Sequence, residues 1–282
     1  MNVRKIFGCG TRNLFCAFAV IFALAFTACG GGGDNGGFWT VVSNSIFDGY
    51  HPISDIAYGN GKFVAVGRSG RMAYSTDGIT WTAVSTEDTF YYSDFKCIAY
   101  DNGKFVVGGG SGVAYSTDGI TWAVVSHPFG NYSINGIAYG NGKFVVSEYS
   151  TGIAYSTDSI TWTTVSSNLV SIYYIAGIAY ANGKFFVLSR TDNKIAYSTD
   201  GITWTAVSTG ISGNDGINGI AYGSGKFVAG GAGDKIAYST DGITWTAVSD
   251  KTFYDDEILC IAYGNGKFVA GSRSGKIAYA DW

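Results

Sequence analysis

Proline is nearly absent from this sequence, with two residues in 282 against 42 glycines. Charge is scarce too: Asp, Glu, Lys and Arg make up 14%, while aromatic residues reach 16%. A disordered chain shows the opposite balance, so a packed fold is expected. The two histidines, His51 and His127, fall on different segments and make neither a metal cluster nor a catalytic triad. Of the five cysteines only Cys97 and Cys260 lie beyond residue 29, too few for a disulfide scaffold. What is abundant is Gly with Tyr, Trp, Val, Ile and Thr, the composition of many short strands joined by tight turns.

The single long apolar run, residues 14–28, follows a basic start made by Arg4, Lys5 and Arg12. It is shorter than the roughly 20 apolar residues of a spanning helix. It ends in Leu24-Ala25-Phe26-Thr27-Ala28-Cys29. This segment resembles a bacterial lipoprotein signal, departing from the usual pattern at Phe26. The resemblance implies cleavage after residue 28 and lipidation of Cys29. It also implies anchorage to a membrane of the bacterial cell envelope, periplasmic or surface-exposed. Residues 29–37, glycine-rich, then form a flexible tether, and residues 38–282 the folded domain. Loss of residues 1–28 removes three basic residues and no acid, leaving 15 basic against 21 acidic side chains, or −6. A nucleic-acid partner is therefore not expected.

The folded part repeats itself. Ile-Ala-Tyr begins at Ile56, Ile98, Ile137, Ile178, Ile220 and Ile261, at spacings of 42, 39, 41, 42 and 41. Each unit contains four strand-like runs; in the first they are residues 56–58, 62–66, 72–74 and 80–84. Asn-Gly pairs such as Asn60-Gly61 suit a two-residue hairpin between the first two runs, because both residues accept positive φ. Ser75-Thr76-Asp77-Gly78 supplies the next reversal, with Ser and Asp side chains accepting turn amides. Four strands per roughly 40 residues predict propeller blades. Residues 38–43 read as a stray fourth strand, and the last unit stops after its third. The expected fold is therefore all-β: a six-bladed propeller of four-stranded blades, closed when the N-terminal strand completes the last blade.

The Ser-Thr-Asp-Gly-Ile-Thr-Trp segments, beginning at Ser75, Ser116, Ser156, Ser198 and Ser239, resemble the Asp-box (BNR) repeat of sialidases and other propellers. They have one residue fewer between Asp and Gly, and the third copy carries Ser159 in place of Gly. The resemblance implies that Asp77, Asp118, Asp158, Asp200 and Asp241 shape turns away from the binding face. The sialidase catalytic set has no counterpart here, so no catalytic residue is assigned.

Strands that alternate in direction put the Asn-Gly and Asp-containing turns on one face of the disk and the remaining loops on the other. The first set is nearly constant; the second varies in length and chemistry, as binding loops on a rigid scaffold do. The candidate binding residues on the variable face are Tyr50, His51, Arg68, Tyr91, Tyr92, Phe129, Tyr132, Glu148, Tyr149, Tyr173, Tyr174, Arg190, Tyr254, Asp255 and Arg273. Aromatic rings among charges grip a glycan or a protein partner. The function expected is that of a non-catalytic binding protein. A glycan-processing hydrolase and a structural subunit of an envelope complex are the alternatives. Neither a cofactor nor a metal is expected. Asp255-Asp256-Glu257 lacks calcium-loop spacing and reads as a solvated acidic loop. The six turn lysines (Lys62, Lys104, Lys143, Lys184, Lys226 and Lys267) read as solvated. Cys97 and Cys260, two blade steps apart, exceed the roughly 4.4–6.8 Å Cα reach of a disulfide and are expected as free thiols.

Overall fold

A computed structural model describes residues 46–47, 53–86, 94–110, 112–125, 128–130, 132–150, 152–165, 172, 174–211, 216–232, 235–248, 256–264, 266–272 and 277–281. The lipoprotein-like signal with Cys29, the tether and the strand expected at residues 38–43 lie outside them.

The described chain is all-β and forms six antiparallel sheets in sequence order. Five have four strands and the sixth has three, Ile258–Gly264, Lys267–Ser272 and Ile277–Asp281. Within each, the first strand pairs with the second across a two-residue turn. Asn60 and Gly61 show why: their φ values are +47° and +73°, the pair of positive angles this hairpin demands. First strands pack against the first strand of the next sheet, from Ile53–Gly59 through to Ile258–Gly264.

Alternating side chains bury both faces of sheets two to five, and five apolar clusters fill the spaces between consecutive sheets. Between sheets one and two, Val64, Val66 and Met72 meet Phe95, Ile98 and Phe105. Among the described residues, no cluster joins sheet six to sheet one. Val269 is 39% exposed, whereas its counterparts Val64, Val106, Val145, Phe186 and Val228 are buried. The outward face of the sixth sheet is thus the open end of the stack.

The fourth strand is shorter than the sequence predicts. In sheet one it spans Thr82–Ala83, because the amides of Ile79 and Thr80 bond to the Asp77 carboxylate instead of entering the ladder. Ser75 Oγ donates to the same oxygen and accepts the Gly78 amide. The Trp81 indole donates back to the Gly78 carbonyl. Four further copies repeat the carboxylate arrangement at Asp118, Asp158, Asp200 and Asp241. The backbone amides of Thr80 and Ile79 hold Asp77 down to about 2, so it stays ionised, and keeps its turn, in all but strong acid. In the third copy Ser159 takes the left-handed φ of +68° that Gly holds elsewhere, a strained conformation for a residue with a Cβ.

The turn lysines are not simply solvated. Lys62 donates to the carbonyl of Asp118 and Lys104 to that of Asp158, each latching its sheet to the turn of the next. Lys62, Lys104, Lys226 and Lys267 also sit 4.6–5.9 Å from the ring centre of Tyr74, Tyr115, Tyr238 and Tyr279. The face that repeats most faithfully does so because it joins sheet to sheet. Cys97 and Cys260 are both free thiols, directed at the carbonyls of Gly108 and Gly271 in their own sheets.

Candidate functional site

Seven of the predicted binding residues lie among the described ones: Arg68, Phe129, Tyr132, Glu148, Tyr149, Tyr174 and Arg190. Tyr50, His51, Tyr91, Tyr92, Tyr173, Tyr254, Asp255 and Arg273 lie outside them.

The best-defined arrangement is on the loop side of sheets three and four. Tyr149 follows the second strand of sheet three, Lys143–Glu148, and Tyr174 immediately precedes the first strand of sheet four, Ile175–Ala181. Their ring centres are 5.3 Å apart with planes inclined at 53°. The rings are 41% and 48% exposed, so the pair presents a large apolar and hydroxyl-bearing surface to solvent. Backbone bonds fix it: the Ile175 amide donates to the Tyr149 carbonyl, 2.9 Å, and the Arg190 amide to the Tyr174 carbonyl, 2.8 Å. Tyr174 has φ +54°, a left-handed conformation that costs a residue with a Cβ about 1–2 kcal/mol. The flanking bonds hold this strained conformation in place beside the exposed aromatic pair.

Glu148 has a different role from the one its position beside Tyr149 implied. It is buried, and its two carboxylate oxygens accept the amides of Ser150 and Gly152, both at 2.7 Å. The carboxylate braces the loop that carries Tyr149. Phe129 is partly buried and packs over Gly152, where an added Cβ would lie 3.0 Å from its ring. Tyr132, 65% exposed, stands in the loop that precedes sheet three.

Lys96 lies on the first strand of sheet two, Phe95–Asp101, at the place held by Ser54, Asn135, Ala176, Asn218 and Leu259 in the other units. The Ser69 amide donates to Asp94, tying the turn that carries Arg68 to the residue two before Lys96. Burial lowers the Lys96 pKa. Arg190 and Arg68 push the same way, against Cys97 and Asp94.

Of the acidic loop, Asp256 accepts from the Ser272 hydroxyl and Glu257 from the Asn218 amide, so these carboxylates are tied into sheets five and six. No group of three His, Cys, Asp or Glu side chains suited to a metal ion occurs among the described residues. A groove of about 350 Å³ lies at the outer margin of sheets three and four, lined by Tyr155, residues 163–165 and residues 202–204. It runs along an outer strand, Thr163–Val165, and the Asp200 turn, away from the tyrosine pair.

No protein-family model and no curated protein matches the sequence. Solved structures do match the fold. YCF48 from Cyanidioschyzon merolae is 18% identical, with a TM-score of 0.66 over 81% of this chain and 82% of that one. YCF48 bound to D1 peptide gives 16% and 0.67, over 82% and 78%. Virginiamycin B lyase from Staphylococcus aureus gives 15% and 0.63, over 80% and 83%. These neighbours are β-propellers. With six consecutive antiparallel sheets, the chain shares their architecture; at such identities the likeness extends to fold alone.

Proposed function

We propose that the chain is an envelope-anchored binding protein: a closed six-bladed propeller with Asp-box-like turns, exported by its signal and held through Cys29. It engages a protein partner through its variable loop face. The observation that carries this reading is the Tyr149–Tyr174 pair, exposed and fixed by backbone bonds at the cost of a left-handed Tyr174. Tyrosines of this kind supply large contact area at little entropic cost and recur at the centres of protein interfaces. A propeller neighbour solved with a bound peptide supports protein binding in general.

Affinity capture from intact envelopes tests the proposal, with the tagged protein compared against Tyr149→Ala/Tyr174→Ala. The wild type is expected to retain a partner that the double variant loses by on the order of tenfold or more. Retention of the same partners in equal amount by a folded double variant would contradict the assignment of the face.

A further inference from the structure

The face opposite the tyrosine pair carries a pattern of its own. Its hairpin turns and Asp-containing turns are tied together from sheet to sheet. The Asn60 side-chain amide donates to the Thr117 carbonyl, and that of Asn141 to the Thr199 carbonyl. On this turn face five apolar side chains stand in solvent. Ile79, Ile120, Ile160, Ile202 and Ile243 hold the same place in five consecutive sheets and are 38–67% exposed. Their backbone amides serve the turn carboxylates, which places no demand on the side chain. Scattered apolar residues are ordinary on a surface, whereas five at equivalent places on one face form a repeated apolar contact. Charge there is mixed. Turn carboxylates such as Asp77 and turn lysines such as Lys62 and Lys104 intersperse, so the face has no strong field of either sign.

The direction of the chain says what this face meets. Arg71, on the loop side of sheet one, donates from Nη1 to the Ile46 carbonyl at 2.7 Å, so the chain enters sheet one from the loop side. Fourth strands start at the Asp-containing turns, as Thr82–Ala83 does after Asp77, and run towards the loops. On the closure proposed above, residues 38–43 run the same way, and residue 38 starts at the turn face. The nine glycine-rich residues 29–37 that join it to Cys29 span about 15–18 Å on average. Strands of six or seven residues make a disk about 20–23 Å thick, so such a tether holds the turn face towards the lipid. We infer that the turn face is the membrane-facing side of the anchored protein, and that the five isoleucines seat it on a phospholipid surface. This rests on the anchorage and closure proposed above and adds an orientation and a contact. The tyrosine pair then points away from the bilayer, open to its partner. Apolar side chains beside polar turns enter the boundary between headgroups and acyl chains. A protein interface gathers its anchors at one centre, whereas these are spread over five sheets, as a flat lipid surface allows. With mixed charge on the face, seating needs no anionic lipid.

The test uses the full chain purified from envelopes and reconstituted into vesicles that contain nitroxide-labelled lipid. One set is phosphatidylcholine; the other is phosphatidylethanolamine with phosphatidylglycerol. An environment-sensitive fluorophore is attached at Ile79→Cys, at Ile202→Cys or, on the loop side, at Tyr132→Cys. The unaltered chain, labelled in parallel, gives the background from Cys97 and Cys260. The Ile79→Cys and Ile202→Cys labels are expected to shift to the blue and to be quenched several-fold more than the Tyr132→Cys label. The quenching should be alike in both lipids and hold as salt rises from about 0.05 to about 0.5 M. Ile79→Thr, Ile120→Thr and Ile160→Thr together, all at exposed sites, should remove most of the quenching at Ile202→Cys. Unchanged quenching in that variant would assign the seating to the anchor alone and overturn the role of the isoleucines. Quenching at Tyr132→Cys in place of the turn positions overturns the orientation. A blue shift at the turns without quenching means that a second copy of the chain covers the face, which overturns the choice of lipid. Labels that stay in water at all three positions, on protein that floats with the vesicles, overturn the contact and leave the anchor standing. Protein that separates from the vesicles shows the anchorage itself to be wrong and takes the orientation with it.

Discussion

Deletion of residues 38–43 is expected to lower the stability of the domain by about 3–5 kcal/mol, the cost expected if Trp39 and the residues around it complete the sixth sheet. The first five sheets each have a fourth strand after the Asp-containing turn, but the sixth ends at its third, Ile277–Asp281. The Trp39-Thr40-Val41-Val42-Ser43 segment matches Trp81-Thr82-Ala83-Val84-Ser85, which supplies the fourth strand of sheet one. Its counterparts Trp204 and Trp245 are buried, and Trp81, Trp122 and Trp162 partly buried. An unpaired outer edge on the sixth sheet would also template association between molecules, so the truncated protein should aggregate on heating. Closing the ring additionally covers Val269, the one member of its repeat position left open in the described stack. Thermal unfolding followed by circular dichroism, with light scattering, reads both effects. An unchanged melting temperature would show that residues 38–43 do not complete the sheet.

Gly140→Ala should destabilise by about 1–3 kcal/mol through overpacking, although it adds one methyl group. A Cβ at Gly140 would lie 2.2 Å from the Tyr180 ring of the next sheet, inside any possible contact. That ring is held in place, because its hydroxyl donates to Asn141 at 2.7 Å. Gly59 beneath Tyr100 and Gly223 beneath Tyr263 repeat the arrangement, each with a notional Cβ 2.0 Å from the ring. Denaturant midpoints for Gly140→Ala, Tyr180→Ala and the double variant measure the coupling. The glycine substitution should cost far less once the ring is gone. Additive losses would mean that the ring and the glycine do not lock the sheets.

The repeat period and the Asn-Gly turns made the four-stranded units readable from sequence, since both are local rules acting within a single unit. The fourth strand was read as too long because the Asp77 carboxylate competes for amides that the residue pattern assigns to a ladder. The turn lysines were read as solvated because their acceptors, the carbonyls of Asp118 and Asp158, belong to the neighbouring unit more than fifty positions away. At the site, Tyr149 and Tyr174 were visible as variable-loop aromatics. Their pairing was not, since it depends on the packing of sheet three against sheet four. Glu148 beside Tyr149 looked available to a ligand, yet its oxygens are spent on its own loop. Lys96 departs from its counterparts inside a strand, where variation among the loops gives no sign of it.

On the proposed function, partners bind the variable loop face and not the constant turns. Hydrogen–deuterium exchange of the protein, alone and with its captured partner, measures this directly. Slower exchange is predicted at residues 148–152, 174–175 and 190, with no change at the turns around Asp77, Asp118, Asp158, Asp200 and Asp241. Protection confined to those turns, with the tyrosine loops unaffected, would contradict the account.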